Sequence, residues 1–286
     1  MLDLAVLEIF KTVAELRSVT RAADLLQRAQ SNVTTRVRQL EDELGAPLFL
    51  RDGKRMTLTP EGQTLLAYAN RLLSLAEEAR QAISPGKPGG RLRIGTMEST
   101  AASRLPVPLA RFHSRWPAVD VTLATGSTQI LIERVLGHEL DCAFITQPPW
   151  MDGLPAEFEA VRVFTEELLL VLPGHHPAIA SPADLRVDTL AAFEQGCAYR
   201  RLAEDWLAIG REKPLKLLEL GSYHAILACV AAGSSIGVVP RSVLDLHRPV
   251  LDLCTHPLAT VDTMLIRRRG YHSAAFEAFL ETVQAA

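Results

Sequence analysis

Apolar side chains recur at helical spacing from the start of the chain. Val6, Phe10 and Val13 lie three to four residues apart, with Leu7 and Ala14 widening the stripe. One amphipathic helix is predicted there. Thr20 reads as the N-cap of a short second helix that holds Ala22, Ala23, Leu25 and Leu26. After a polar break, Val33, Val37, Leu40 and Leu44 mark a third helix ending at Gly45 and Pro47. Its other face carries Gln30, Ser31, Asn32, Thr34, Thr35, Arg36 and Arg38, short hydrogen-bonding side chains plus arginines, which suit base edges and phosphates. Arg51 to Thr59 has a turn signal at Asp52-Gly53 between residues able to pair as a ribbon, so a small wing with a basic tip is expected.

Pro60 then opens a long helix. Leu65, Ala69, Leu72, Ala76, Ala79 and Ile83 alternate four and three apart, a heptad seam whose alanines permit close helix approach. The competing interpretation is a helix packed on its own domain. Residues 84–90 are dense in glycine and proline and read as a hinge.

Beyond the hinge, strand-like and helical runs alternate. Arg91–Thr96, a helix from about Ala101 to Ser114, Val119–Ala124, a helix from Ser127 to Gly137 and Asp141–Ile145 form a βαβαβ unit with a mostly parallel sheet. The alternation resumes with strands at Glu166–Pro173, Gly196–Tyr199, Leu215–Leu220 and Gly237–Pro240, and helices around Leu202–Ile209 and Tyr223–Ala232. The predicted fold class is α/β with an N-terminal winged helix-turn-helix.

Composition narrows the picture without redrawing it. At 286 residues, 48% hydrophobic and 22% charged, the chain reads as globular with two or three domains. No apolar run approaches the roughly 18 residues that span a bilayer, and the opening residues carry acids rather than a basic secretion signal, so a cytoplasmic protein without membrane attachment is expected. Cys142, Cys197, Cys229 and Cys254 have no CxxC spacing and are expected to be free thiols. The net charge is −3, but residues 1–90 hold 12 basic against 11 acidic side chains while the remainder holds 18 against 22. Leu26 to Leu40 contains Arg28, Arg36 and Arg38 and no acid, and Arg51, Lys54 and Arg55 cluster further on. Such localised islands fit a groove reader and exclude a protein that coats nucleic acid over its whole surface.

The N-terminal residues closely resemble the LysR-type transcriptional regulators, and the resemblance runs the whole length. It is carried by Phe10-Lys-Thr-Val-Ala14, Ser18-Val-Thr-Arg-Ala-Ala-Asp-Leu-Leu26, Gln30-Ser31 with Val33, Arg38-Gln-Leu-Glu-Asp-Glu-Leu-Gly45, Pro47-Leu-Phe-Leu-Arg51 and Leu58-Thr-Pro-Glu-Gly62. The resemblance implies a DNA-binding transcription regulator, not an enzyme, that responds to a small-molecule effector. It implies a reader over 1–59, a dimerising linker helix over 60–83 and a hinge over 84–90. An effector domain over 91–286 would consist of two α/β subdomains like those of periplasmic binding proteins, subdomain I at about 91–161 and 262–286 and subdomain II at about 162–261. Implied partners are double-stranded DNA, RNA polymerase and further copies of the chain, as a homodimer through the linker helix and as a homotetramer; no cofactor or metal is implied.

Expected DNA contacts are Thr20, Arg21, Gln30, Ser31, Thr34, Thr35 and Arg38, with Lys54 and Arg55 on the wing. Thr35 departs from the commonest family pattern, where an arginine is frequent, and Ala29 stands where a valine or threonine is more usual. Expected effector contacts are Ser99, Thr100, Ser127, Thr128, Thr146, Tyr199, Arg200 and Ser222, all placed by the pattern at carboxyl ends of strands, where open α/β sheets bind ligands. Each hydroxyl taken alone suits a helix cap better than a ligand contact, and the case for a site rests on their convergence. Arg200 and Arg201 suit a carboxylate effector, whereas Glu98 would repel one, which leaves the effector's charge open.

Three rival readings follow from the residues. Cys197 lies where peroxide-sensing relatives carry their reactive cysteine, but Trp206 occupies the place of the resolving one. Gly233-Ser-Ser-Ile-Gly237 fits the G-x-S-x-G motif of α/β hydrolases, yet a helix precedes it and Val238-Val239 begins a strand, the reverse of a nucleophile elbow. A transport binding protein would account for the α/β half but not for the reader.

Overall fold

A computed structural model describes residues 2–52, 55–83, 87–147, 153–209, 215–247 and 252–285. The chain divides into two compact units, residues 1–85 and, apart from the turn 137–139, residues 86–286. Among the described residues no helix is long and apolar enough to cross a membrane.

The first unit is built from α1 (Leu4–Leu16), α2 (Val19–Leu25), α3 (Gln30–Leu44), the hairpin β1 (Phe49–Asp52) and β2 (Arg55–Leu58), and α4 (Pro60–Ile83). Asp3 caps α1 by accepting from the Ala5 N–H at 2.9 Å. Ser18, not Thr20, caps α2, its Oγ accepting from the Arg21 N–H at 3.3 Å. Two neighbouring hydroxyl residues offer the same capping chemistry, and the three-residue reach to Arg21 selects the first. The expected apolar stripes meet in one core, with Leu7, Phe10, Val13, Val33, Val37 and Leu40 buried around Leu48 and Phe49. Phe10 and Phe49 lie 5.4 Å apart between ring centroids. Glu41 reaches out of α3 to accept from the Leu48 N–H at 2.9 Å, which fixes the start of the hairpin. Gly62 permits the first turn of α4 to lie against it, since a Cβ there would stand 2.1 Å from the Leu48 carbonyl oxygen.

The seam of α4 divides. Leu65 and Ala69 are buried in the core of this unit, so that part of the expected dimer seam is a domain contact. Tyr68, Leu72, Leu75 and Ile83 form the exposed apolar stripe instead. Leu72 and Ile83 belong to the expected seam, whereas Tyr68 and Leu75 lie beside it, four before and three after Leu72.

The second unit contains one eight-stranded sheet. Three parallel strands, β3 (Gly90–Thr96), β4 (Val119–Thr125) and β5 (Cys142–Gln147), make one half. The other half holds β7 (Thr189–Ala192), β8 (Lys216–Glu219) and β9 (Ile236–Pro240), also parallel. Two long antiparallel strands, β6 (Phe158–Pro173) and β10 (Leu253–Arg268), join the halves, giving the order β4-β3-β5-β10-β6-β9-β7-β8. β10 pairs with β5 from Asp262 to Arg267, and β6 pairs with β9 from Leu168 to Val171. The C-terminal helix α11 (Ala274–Gln284) lies on the first half, where Phe279 packs 5.4 Å from Phe112 and 6.0 Å from Phe144. Burial of one such aromatic ring is worth about 1.5–3 kcal/mol.

The expected helix from Ala101 to Ser114 is two helices, α5 (Glu98–Ser103) and α6 (Pro106–Arg115). Pro106 breaks the first, because it lacks the N–H that would continue the ladder, and starts the second. After α7 (Thr128–Leu136) the first half follows the expected alternation. In the second half, the strand expected at Gly196–Tyr199 is absent. The strand there is β7, and Cys197 is the N-cap residue of α8 (Ala198–Leu207). The remaining helices are α9 (Tyr223–Ala231) and α10 (Arg241–Leu246). Gly233 to Gly237 joins α9 to β9, and Ser235 within it is fully buried, so the hydrolase motif is a helix-to-strand turn.

Candidate functional site

In the first unit, Gln30, Ser31, Thr35 and Arg38 stand exposed along α3, and Thr20 and Arg21 are exposed on α2. Thr34 is half-buried and donates to the Gln30 carbonyl at 2.9 Å, so its hydroxyl already has a partner within the helix. Arg21 folds back, donating to the Leu16 carbonyl. Lys54 lies outside the described residues, and Arg55 is the first residue of β2. Ala29 provides no side-chain cap to α3, whose first turn also lacks an acid. The helix therefore presents uncapped N–H groups and the positive end of its dipole beside Gln30 and Ser31, an arrangement that attracts phosphate.

The second unit contains a cleft of about 450 Å³ at the carboxyl ends of strands from both halves of the sheet. From the first half, Met97, Glu98 and Ser99 follow β3, Thr125 ends β4 and Gly126 to Thr128 follow it. From the second, Phe193 and Glu194 follow β7, Cys197 to Tyr199 open α8, and Glu219 to Gly221 with Tyr223 lead from β8 into α9. The two lips approach closely at Gly196, where φ is +96° and a Cβ would lie 3.0 Å from Ser127 Oγ. A side chain at that position would be strained by the backbone and crowded by Ser127.

Of the eight expected effector contacts, Ser99, Ser127, Thr128 and Tyr199 line the cleft. The other four do not. Thr100 is buried inside α5. Thr146 lies beneath the floor, donating to Met97 Sδ at 3.2 Å. Ser222 caps α9 by accepting from the Ala225 N–H at 3.2 Å. Arg200 turns behind the wall, where Nε donates to Glu204 at 2.7 Å and Nη1 donates to Glu219 at 2.7 Å and to the Phe193 carbonyl at 3.1 Å. Three acceptors hold that guanidinium through Nε and Nη1 outside the lining, so its expected role toward a carboxylate gives way to bracing the wall.

Glu98 Oε2 is buried in the lining without a hydrogen-bond partner, while the Ser99 and Tyr199 hydroxyls lie buried within reach of each other, Tyr199 also within reach of Thr146. Burial pushes the Tyr199 hydroxyl up to about 12, with the nearby Thr146 and Ser99 hydroxyls opposing the shift. Burial likewise raises Tyr223 well above the usual phenol range. The Glu98 carboxyl is raised by burial, opposed by the Tyr223 backbone N–H and by His247. A buried carboxylate oxygen left orphaned is costly unless something fills the space beside it. Cys197 is also raised by burial, with the backbone N–H groups of α8 only partly offsetting it. A peroxide sensor needs the opposite shift.

Sequence reasoning missed Phe193, Glu194, Glu219 and Tyr223. The signal for β7 is the short apolar run that ends at Phe193.

Residues 85–286 match the family described as LysR substrate binding domain, and residues 4–63 match that described as bacterial regulatory helix-turn-helix protein, lysR family. The chain is 39% identical over 285 residues to the HTH-type transcriptional regulator GltR of Bacillus subtilis (strain 168), spanning 98% of this chain and 95% of the relative. It is 37% identical over 289 residues to the HTH-type transcriptional regulator CzcR of the same organism, spanning 99% and 97%. Among solved structures, a full-length OxyR from Pseudomonas aeruginosa shares the fold with a TM-score of 0.76 at 24% identity, covering 99% of this chain and 98% of that one. Full-length CbnR in complex with its target DNA shares it with a TM-score of 0.67 at 24% identity, covering 99% of both chains. With a helix-turn-helix reader and an effector-binding domain in one polypeptide, the chain belongs to the LysR family of transcriptional regulators.

Proposed function

We propose that this regulator is a cytoplasmic homodimer, not an enzyme, that couples occupancy of the cleft to the way α3 engages double-stranded DNA. The carrying observation is the face of α3, where Gln30, Ser31, Thr35 and Arg38 stand exposed beside an uncapped, acid-free first turn. These side chains offer hydrogen bonds to base edges in a major groove, and the helix N-terminus takes a phosphate. Residues 1–59 act as the reader and 60–83 as the linker, 84–90 as the hinge and 91–286 as the sensor, with β6 and β10 as the crossings between its subdomains.

The partner for the α4 stripe is a second copy of the chain. Tyr68, Leu72 and Leu75 are exposed four and three apart, and Ile83 is exposed further along the helix, which supports a helix pair. A dimer sets two α3 helices in successive grooves, about 34 Å apart. Two dimers on one site form the tetramer and bend the DNA between them, changing its presentation to RNA polymerase. A ligand shifts the population only by binding one arrangement more tightly than the other.

The test is a nuclease footprint of the full chain on the DNA upstream of its own coding region. Protection of about 50–60 base pairs is expected from a tetramer on four successive groove contacts, and effector saturation changes its extent. An unchanged footprint and bend at saturation would sink the coupling.

A further inference from the structure

We infer that the cleft selects a small ligand bearing a protonated amine, which pairs with Glu98. The inference rests on the cleft being the effector site and adds the charge of its ligand.

Glu98 opens α5 and lines the cleft. One side of its carboxylate accepts from the Tyr223 backbone N–H, while Oε2 is buried without a partner. His247 acts on the carboxyl only electrostatically, its Nδ1 being 3.0 Å from the Val243 carbonyl oxygen. Beside Glu98, the Ser99 and Tyr199 hydroxyls line the cleft from residues 3% and 2% exposed, within hydrogen-bonding reach of each other. An ammonium group carries three donors and satisfies a carboxylate oxygen and two hydroxyl oxygens together.

The rest of the lining agrees. Among the described residues the cleft has no lysine, arginine or histidine side chain, whereas Glu194 and Glu219 add two more carboxylates, the second already paired with Arg200. Phe193 and Tyr223 pack edge to face at 4.8 Å between centroids and make one wall of the cleft aromatic. The N-termini of α7 and α8 favour an anion, but one bound at the floor would face Glu98 with no cation between them. Burial holds the Glu98 carboxyl above its ordinary value, as expected for an acid waiting for a counter-charge.

The test is thermal unfolding of the full chain with phenethylamine, tyramine, putrescine and lysine. The N-acetyl form of each amine is run in parallel, with phenylpropionate and succinate as anions. At least one amine is expected to raise Tm by about 5 °C or more at saturation, with its N-acetyl form silent. Glu98→Gln, checked for unaltered DNA binding, weakens that amine at least tenfold, while the rim variant Glu194→Gln leaves most of the shift. Failure of every amine, or an amine shift that survives Glu98→Gln, overturns the inference. An anion that stabilises the wild type, loses its effect in Ser99→Ala and alters the footprint also overturns it, while leaving the cleft as the effector site. An amine that binds through Glu98 without touching the footprint supports the charge and counts against the effector reading alone.

Discussion

Arg104 donates through Nε to Glu166 Oε1 at 2.6 Å, tying the corner between α5 and α6 to the crossing strand β6. Glu166 is 3% exposed, and its Oε2 accepts from Ser242 Oγ on α10 at 2.7 Å. Ser242 in turn lies 3.1 Å from Ser103 Oγ. The six-residue helix α5 thus carries Glu98 and Ser99 into the cleft at one end and Ser103 into this polar cluster at the other, with Arg104 directly after it. A ligand that moves the first turn of α5 strains the cluster, which ties that helix to the crossing strand β6 and to α10.

Arg104→Ala leaves a buried carboxylate with Ser242 as its remaining partner. Removing one member of a buried pair exposes the other's desolvation cost. Because Arg104 keeps 35% exposure, the expected loss is about 2–3 kcal/mol, within the range for a hydrogen bond to a charged group. Urea denaturation measures it, and adding Glu166→Gln to the Arg104→Ala background should recover part of the loss. A loss below about 0.5 kcal/mol, the level of an ordinary surface change, would show the pair to be incidental.

Glu98 makes stability depend on pH in a defined direction. Its carboxyl is raised in the folded protein by burial, with the Tyr223 N–H and His247 opposing and with Glu194 and Glu219 also lining the cleft. The folded state therefore holds this proton at pH values where the unfolded chain has released it. Stability falls as pH rises from the ordinary carboxylate value through the folded one. Glu98→Gln removes that dependence, so the Tm of the variant minus that of the wild type should grow across this window and level off above it. A difference that shrinks with rising pH would mean that Glu98 is already paired in the free protein.

The periodic parts of this architecture were legible in the sequence, and the misreadings have physical causes. Helices α1 and α3 declare themselves because one apolar stripe faces one core. In α4 the expected seam is split: Leu65 and Ala69 pack inward, whereas Leu72 and Ile83 of the same seam stay exposed together with Tyr68 and Leu75. A helix that serves two surfaces carries two stripes, and spacing alone does not assign them. Strand β7 has only four residues, and its neighbour Gly196 with positive φ drew the strand to the wrong side of the turn. Arg200 was misread because its carboxylate partner Glu219 is 19 residues away, beyond any local pattern. The hydroxyls of Ser99, Ser127 and Thr128 were found because strand ends are recognisable, while Glu98 was read only as repelling an anion.

Cys197 should behave as an inert thiol. Burial raises it, and Trp206, at the position of a resolving cysteine, packs 5.4 Å from the His256 ring. Thiol labelling of the native protein is expected to be equal with and without peroxide, and Cys197→Ser should keep full DNA affinity. Peroxide protection of Cys197 from the label would restore a redox role.

Leu75→Glu tests the stripe on α4. Leu75 is 60% exposed, so a charge there costs the isolated chain little and leaves its fold intact. In a helix pair the same charge would be buried without a partner and would split the dimer. Light scattering should report a shift toward monomer and a footprint that needs much more protein. A dimer of unchanged stability would place the interface elsewhere.

Arg38→Ala separates DNA reading from folding. Arg38 is exposed on α3, while Val33, Val37 and Leu40 on its other face hold the core, so thermal stability should stay within about 0.5 kcal/mol of wild type. DNA affinity is expected to fall by about 1–3 kcal/mol if the guanidinium reads a base. The salt dependence distinguishes the two roles open to it. A phosphate contact lowers the slope of log affinity against log salt by about one and weakens all sequences alike, whereas a base contact relaxes the preference at one position. Thr35, exposed nearby on the same helix, provides the comparison: Thr35→Arg adds a charge to the same face and should raise affinity and steepen that slope. Equal affinities in wild type, Arg38→Ala and Thr35→Arg would mean that this face of α3 does not meet the DNA.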